Sequence, residues 1–221
     1  VPFYHPFHIA EDATMVDVIS NGRMVLGLGV GYREAEFDLY GVPLKQRGSR
    51  MEEGTKVILA LFDQDEVNHD GKYYQLKGAR LLPKPIQRPR PPIWIGGWQE
   101  PACARAARLS DAWFPGPTAD LEKVMKAYGY YKEALGSTDQ EIRSKEFPIM
   151  REFFCCKNKV AKEEALEHLQ HMYMEDYVRW GHKTTSTGEQ DVTFQGLMKD
   201  RFIVGSPEEC IEGLETFIDT F

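Results

Sequence analysis

The sequence predicts a (β/α) barrel of which this chain holds a part, and three observations carry that expectation. Short apolar runs alternate with amphipathic helical stretches at close intervals, the pattern of a parallel sheet with crossover helices. Glycines follow three successive strand candidates, at Gly29 and Gly31, at Gly96 and Gly97, and at Gly116. Strand C-termini opened in this way suit the gathered mouth of a barrel better than an open doubly wound sheet. No repeat and no internal linker divides the chain, so residues 1–221 read as one domain. A barrel of this class takes about 250 residues, and this chain has 221.

The elements follow in order. Val1–Tyr4 reads as a strand end, and His5-Pro6 as the turn into a helix over Phe7–Ile19, with Ile9, Ala10, Ala13, Met15, Val16 and Ile19 as its apolar positions. A buried strand is expected over 24–30. Tyr32–Gly48 is a loop turning at Gly41-Val42-Pro43. Ser49, with Glu52 three residues on, reads as the cap of a helix to Phe62. Asp70-Gly71 marks a hairpin between Val67 and Leu82. Pro83–Pro92 holds five prolines and forms a stiff connector. It delivers a strand over 93–96, then a helix of small residues at Ala102–Ala107. A strand over 112–114 precedes a helix capped by Thr118 and ending near Leu135. Ile149–Cys156 reads as a buried strand with Cys155 and Cys156 in the core, and Ala161–Trp180 as a long helix. Arg201–Val204 is extended. Ser206, Pro207 and Glu209 then start the last helix as a capping box with proline at its first position. The five strands are expected to run parallel in one sheet.

Composition bounds the function. The formal net charge of −7 argues against nucleic acid or an anionic membrane as partner. No apolar run approaches the roughly 20 residues that span a bilayer. The four cysteines make no CxxC pair and suit a reducing, cytoplasmic interior. His168 and His171 lie three apart on a helix and read as its solvated face, so no metal site is expected.

Met24–Gly31 (MVLGLGVG) is the centre of the chain. Its glycines alternate, so Gly27, Gly29 and Gly31 share one face of an extended strand. A face without side chains admits a flat group or another backbone, or marks a bulge or barrel corner. The spacing does not match the dinucleotide fingerprint, which needs its third glycine three residues after the second.

With these residues the chain resembles the bacterial luciferase-like family of flavin-dependent monooxygenases. The resemblance is carried by Asp17–Gly31, Tyr32, Phe37, Gly41-Val42-Pro43 and the Arg47, Arg50, Glu53 helix start. It extends through Pro92–Gly97, Ala106–Trp113 and Val204–Glu209. It implies a (β/α)8 TIM barrel of the luciferase-like type, dimeric, present here without its N-terminal strands and its last strand. It also implies reduced FMN as cofactor, or the deazaflavin F420 in some branches.

A flavin needs a flat slot for its ring and donors for its phosphate. Gly29 and Gly31 leave room for the ring, while Gly96 and Gly97 open a helix whose free amides suit a phosphate. By matching positions the family implies phosphate contacts at Trp98, Gln99 and Ala102. Luciferase carries a phosphate-contacting arginine at the position of Val30, which this chain lacks. His5 is the candidate general acid–base, its alternative being a cap on the turn before Pro6. The implied reaction is oxygenation of a small organic substrate with O2, with flavin reduced by a separate reductase because no NAD(P)H fingerprint is present. The rivals are an F420-dependent hydride transfer and a flavin-binding protein without turnover. Gly181–Gln195, polar and aperiodic at its start, is expected to be a loop that closes over the flavin mouth.

Overall fold

The computed structural model describes residues 1–136, 147–180, 193–198 and 200–221. Its centre is a parallel ladder of β1 (Leu26–Leu28), β4 (Ile93–Ile95) and β5 (Ala112–Trp113), with β4 in the middle. Leu28 pairs with Ile95, and Ile95 with Trp113. Side chains alternate across a strand. Leu28, Ile93, Ile95 and Trp113 are therefore on one face, buried against helices, and Gly27, Trp94 and Ala112 form a row on the other.

The helices behind the buried face are α1 (Pro6–Ile19), α3 (Arg47–Asp63), α4 (Glu100–Leu109) and α5 (Leu121–Leu135). From α3, Met51, Val57, Ile58, Leu61 and Phe62 enter the core. Trp113 is fully buried and stacks on Tyr128 and Tyr131 of α5, with ring centroids 6.3 and 6.0 Å away. Between α3 and β4 lies an antiparallel hairpin, β2 (Val67–Asp70) and β3 (Gln75–Ala79), as the Asp70-Gly71 pair predicts. The Glu53 carboxylate pins its turn by accepting from the amides of Tyr73 and Tyr74, each at 2.9 Å.

Two carboxylates place the proline-rich connector and so place β4. Asp17, wholly buried near the end of α1, accepts from the Ile86 amide at 2.7 Å, the Gln87 amide at 3.1 Å and Gln87 Nε2 at 2.7 Å. Asp111 accepts from Arg90 Nη1 at 2.6 Å and from the Ile93 amide at 2.7 Å.

A second parallel ladder pairs β6 (Glu152–Cys155) with β7 (Phe202–Gly205). Around it lie α6 (Lys159–Met172), a π-helical turn over Tyr173–Val178, α7 (Phe194–Met198) and α8 (Pro207–Ile218). Buried Arg201 ties the two halves. Its Nε donates to the Thr118 carbonyl at 2.8 Å and its Nη2 to Asp120 at 3.1 Å, just beyond β5.

Several expectations are corrected. The strand pairs are parallel as expected, but among the described residues they form two ladders rather than one sheet. β5 has only two paired residues, Ala112 and Trp113, too few to carry a ladder across to β6. Residues 1–4 are a turn closed by Tyr4 N–H to the Val1 carbonyl at 3.1 Å, because Pro2 offers no amide and no described strand pairs with them. A six-residue helix, α2 (Glu34–Leu39), opens inside the expected loop.

Ser49 is not a cap: the chain enters α3 through a 3₁₀ turn at Leu44–Gln46, and Ser49 Oγ donates back to the Gln46 carbonyl. Asp120, not Thr118, caps α5, since a carboxylate oxygen there reaches the Lys123 amide at 2.9 Å. β6 is largely exposed rather than core, with Phe153 47% and Phe154 40% accessible. The capping box at Ser206 and Glu209 forms as predicted.

Candidate functional site

β1, β4 and β5 run in one direction, so the segments that follow them leave the same edge of the sheet. The Gly96 amide donates to the Leu28 carbonyl at 3.1 Å, and the Phe114 amide to the Ile95 carbonyl at 3.0 Å. Gly29–Gly31, Gly96-Gly97 and Phe114–Gly116 thus gather at one rim.

The glycines differ in what they do there. Gly27 and Gly29 are exposed and have no atom within 4 Å of where a Cβ would stand. That is open space along the inner face of β1. Gly31 takes φ +75°, a left-handed conformation, and the ring of Phe37 lies 3.2 Å from its absent Cβ. It turns the chain rather than opening a surface. A Cβ on Gly97 would stand 2.5 Å from Ala102 Cβ, so this glycine lets the strand end close on helix α4. The Gly97 carbonyl is held by Trp113 Nε1 at 2.8 Å.

Trp98 packs along the rim. Its ring lies edge-on to Trp113 at 6.1 Å, beside Gly116. Gln99 is the N-cap of α4, with no side-chain capping bond. The amides of Ala102 and Cys103 both donate to the Gln99 carbonyl, at 2.8 and 3.0 Å, and Pro101 has none to offer. Among the described residues the amides of Trp98, Gln99 and Glu100 remain without a partner, the usual state of a first helical turn. They are the donors available to a phosphate here. Glu100 puts a carboxylate into the same turn.

His5 takes the capping role weighed as its alternative. Its Nδ1 accepts from the Phe7 amide at 3.2 Å, and its ring stands edge-on to Tyr74 at 5.6 Å. Burial, then the neighbouring His8, lowers its pKa, so the neutral ring that caps the helix is favoured.

Residue-by-residue reading of the sequence missed Trp94. It sits in the inner row between Gly27 and Ala112, 5.4 Å from the ring of Phe114, and its buried indole N–H has no partner among the described residues. The signal was present in Ile93-Trp94-Ile95: when both isoleucines face the core, the tryptophan between them must face the other way. Also missed was the closure of the rim from the β6 side. Arg33 lies over the Trp180 ring at 4.1 Å. The pKa of Tyr32 is raised by burial and next by the charge of Tyr177. The segment expected to close over the mouth, 181–192, lies outside the described residues; its last expected residues, Phe194 and Gln195, begin helix α7.

A strip of bare backbone at Gly27 and Gly29, flanked by Trp94 and Phe114 and bordered by free amides, fits a flat ring system with a polar tail. Among the described residues no cluster of His, Cys, Asp or Glu has metal-binding geometry, and no helix is long and apolar enough to cross a membrane.

The family model for luciferase-like monooxygenases matches residues 1–221. The oxygenase component of a flavin-dependent trigonelline monooxygenase from Acinetobacter baylyi is 27% identical over 176 residues, 78% of this chain and 48% of that protein. The chain spans about half the length of the curated relatives it matches. Among solved structures, an F420-dependent secondary alcohol dehydrogenase bound to an F420–acetone adduct is similar with a TM-score of 0.78 at 18% identity, over 98% of this chain and 67% of that one. The oxygenating constituent of 3,6-diketocamphane monooxygenase from Pseudomonas putida, in complex with FMN, is similar with a TM-score of 0.72 at 20% identity, over 99% and 67%. These likenesses give the luciferase-like barrel as the fold.

Proposed function

Because the chain belongs to the luciferase-like monooxygenase family, we propose that it is the oxygenase component of a two-component flavin monooxygenase, using reduced FMN and O2 to oxygenate a small organic substrate. The observation that carries this reading is the 27% identity to an oxygenase component over 78% of the chain. A separate reductase supplies the flavin, and the working form is a cytoplasmic homodimer with neither nucleic acid nor membrane as partner.

When bound, reduced flavin supplies the electrons that activate O2. The protein's own residues bind and orient it. Gly29 and Gly27 leave space that would receive the ring, and Gly31 turns the chain away beyond them. The Trp94 indole N–H, buried and unpartnered, offers a donor to a ring or substrate acceptor. Amides at Trp98, Gln99 and Glu100, backed by the α4 dipole and next to Gly96 and Gly97, would hold the phosphate. Ala102 lets that turn approach closely. The Arg33–Trp180 contact brings the β6 side against the rim and limits water. His5, with Nδ1 engaged as a cap, has only Nε2 left for moving a proton.

Anaerobic titration of the protein with reduced FMN and, separately, with reduced F420 tests the reading. Saturable tryptophan quenching by reduced FMN, followed by O2-dependent product formation, is the expected result. Saturation by F420 alone, with no O2 requirement, supports hydride transfer instead. FMN binding without O2 uptake leaves a flavin-binding protein.

A further inference from the structure

Outside the candidate site, the C-terminal edge of the β6–β7 ladder opens into a cleft of ≈ 700 Å³ lined by Cys155, Cys156, Lys157, Lys159, Lys162 and Glu209 among others. Three of the four cysteines meet at this edge. Cys155 ends β6 opposite Gly205 of β7. Cys210, in the first turns of α8, packs down onto the same pair. Its Sγ lies 3.6 Å from the Gly205 carbonyl and 3.6 Å from the Phe154 carbonyl, and the Cys155 thiol is its hydrogen-bond neighbour. All four cysteines are free. Cys155 is exposed, whereas Cys210 is 3% accessible. Cys156, the next residue, turns its Sγ to the Phe154 carbonyl at 3.5 Å.

We propose that Cys155 and Cys210 form a peroxide-sensitive dithiol, a modification site at which oxidation joins β6 covalently to α8. The order of events follows from access. Cys155 is open to the cleft, and Lys157 and Lys159 line the same cleft, as does Lys162, which is paired with Glu209 at 2.7 Å. Burial pushes the Cys210 thiol up, so it is not the first to react. Cys155 attacks hydrogen peroxide, giving a sulfenic acid and one water. The Cys210 sulfur then displaces the sulfenic hydroxyl, forming the S–S bond and releasing a second water. Two thiol hydrogens and the peroxide leave as two waters, and no other reactant is needed.

The test is hydrogen peroxide titration of the purified protein, read by thiol counting in denaturant and by peptide mass spectrometry. The four thiols are expected to fall to two, with one crosslinked peptide joining Cys155 to Cys210, reversed by dithiothreitol. Cys156→Ser should keep that crosslink. Cys155→Ser, an exposed and isosteric change, should abolish it and leave Cys210 reduced. Cys103 should stay reduced throughout, since burial pushes its thiol up to about 12. A crosslink through Cys156, loss of the Cys210 thiol in Cys155→Ser, no thiol loss, or a sulfinic acid on Cys155 beside a free Cys210 would each overturn the assignment.

Discussion

Asp17 accepts its three hydrogen bonds in a fully buried setting. Burial alone would raise its pKa. The donors at Gln87 and Ile86 outweigh that and hold it below the ordinary aspartate range. A carboxylate with a depressed folded pKa adds stability at pH values above its unfolded pKa, about 3.9. That stability is lost as pH falls through the lower folded value. Asp17→Ala leaves the Ile86 and Gln87 amides unpaired and is expected to cost about 2–3 kcal/mol at neutral pH. The same variant should show a flatter acid limb, measured by urea unfolding between neutral pH and pH 3. Equal acid sensitivity in variant and parent would remove Asp17 from this role. For His5, Asn at the cap position should preserve stability where Ala costs about 1 kcal/mol. Thermal melts of the two variants compare them. Glu100 stands in the turn assigned to the phosphate. Glu100→Gln is expected to tighten reduced-FMN binding about two- to fivefold, the worth of roughly 0.3–1 kcal/mol at a helix N-terminus. Unchanged affinity would place the phosphate elsewhere.

Helix α8 was legible in the sequence because its start is wholly local: Ser206, Pro207 and Glu209 satisfy one another without help from the rest of the chain. Ser206→Ala should therefore cost about 1 kcal/mol, read as a fall in the unfolding midpoint, and a neutral outcome would contradict the capping assignment. The starts of α3 and α5 were not legible for the opposite reason. Ser49 with Glu52 has the spacing of a capping box, but Pro43 and the 3₁₀ turn begin the helix earlier. Glu52 is drawn instead to Lys56 at 3.1 Å and Arg108 at 3.4 Å. Thr118 is a good cap by type, but its carbonyl is occupied by Arg201, and Asp120 takes the position. Four of the five expected strands were located to within a few residues, while residues 1–4 form a turn. The exposure of β6 was not, because an apolar run gives no sign of whether a neighbour covers it.

For the molecule as a whole, parallel direction and the shared rim follow from alternation and from glycines at successive strand ends, both written in the sequence. The division into two ladders is not. It depends on the shortness of β5 and on tertiary ties such as Arg201 to Asp120, between residues 81 positions apart. Of the candidate site, the glycine positions were legible, while Trp94 and the Arg33–Trp180 closure needed the face of each strand and a contact across 147 positions. In the proposed function a flavin lies on the bare inner face of β1. Gly29 is the place to test it, since no atom lies within 4 Å of the position its Cβ would take. Gly29→Leu should therefore fold with an unchanged melting temperature while filling the ring's space. The decisive measurement is the dissociation constant of reduced FMN for this variant and its parent, determined anaerobically by tryptophan quenching. Steric overlap of about 1–3 kcal/mol predicts affinity weakened about five- to 150-fold at equal thermal stability. Equal affinity in the two proteins would contradict a flavin at this face.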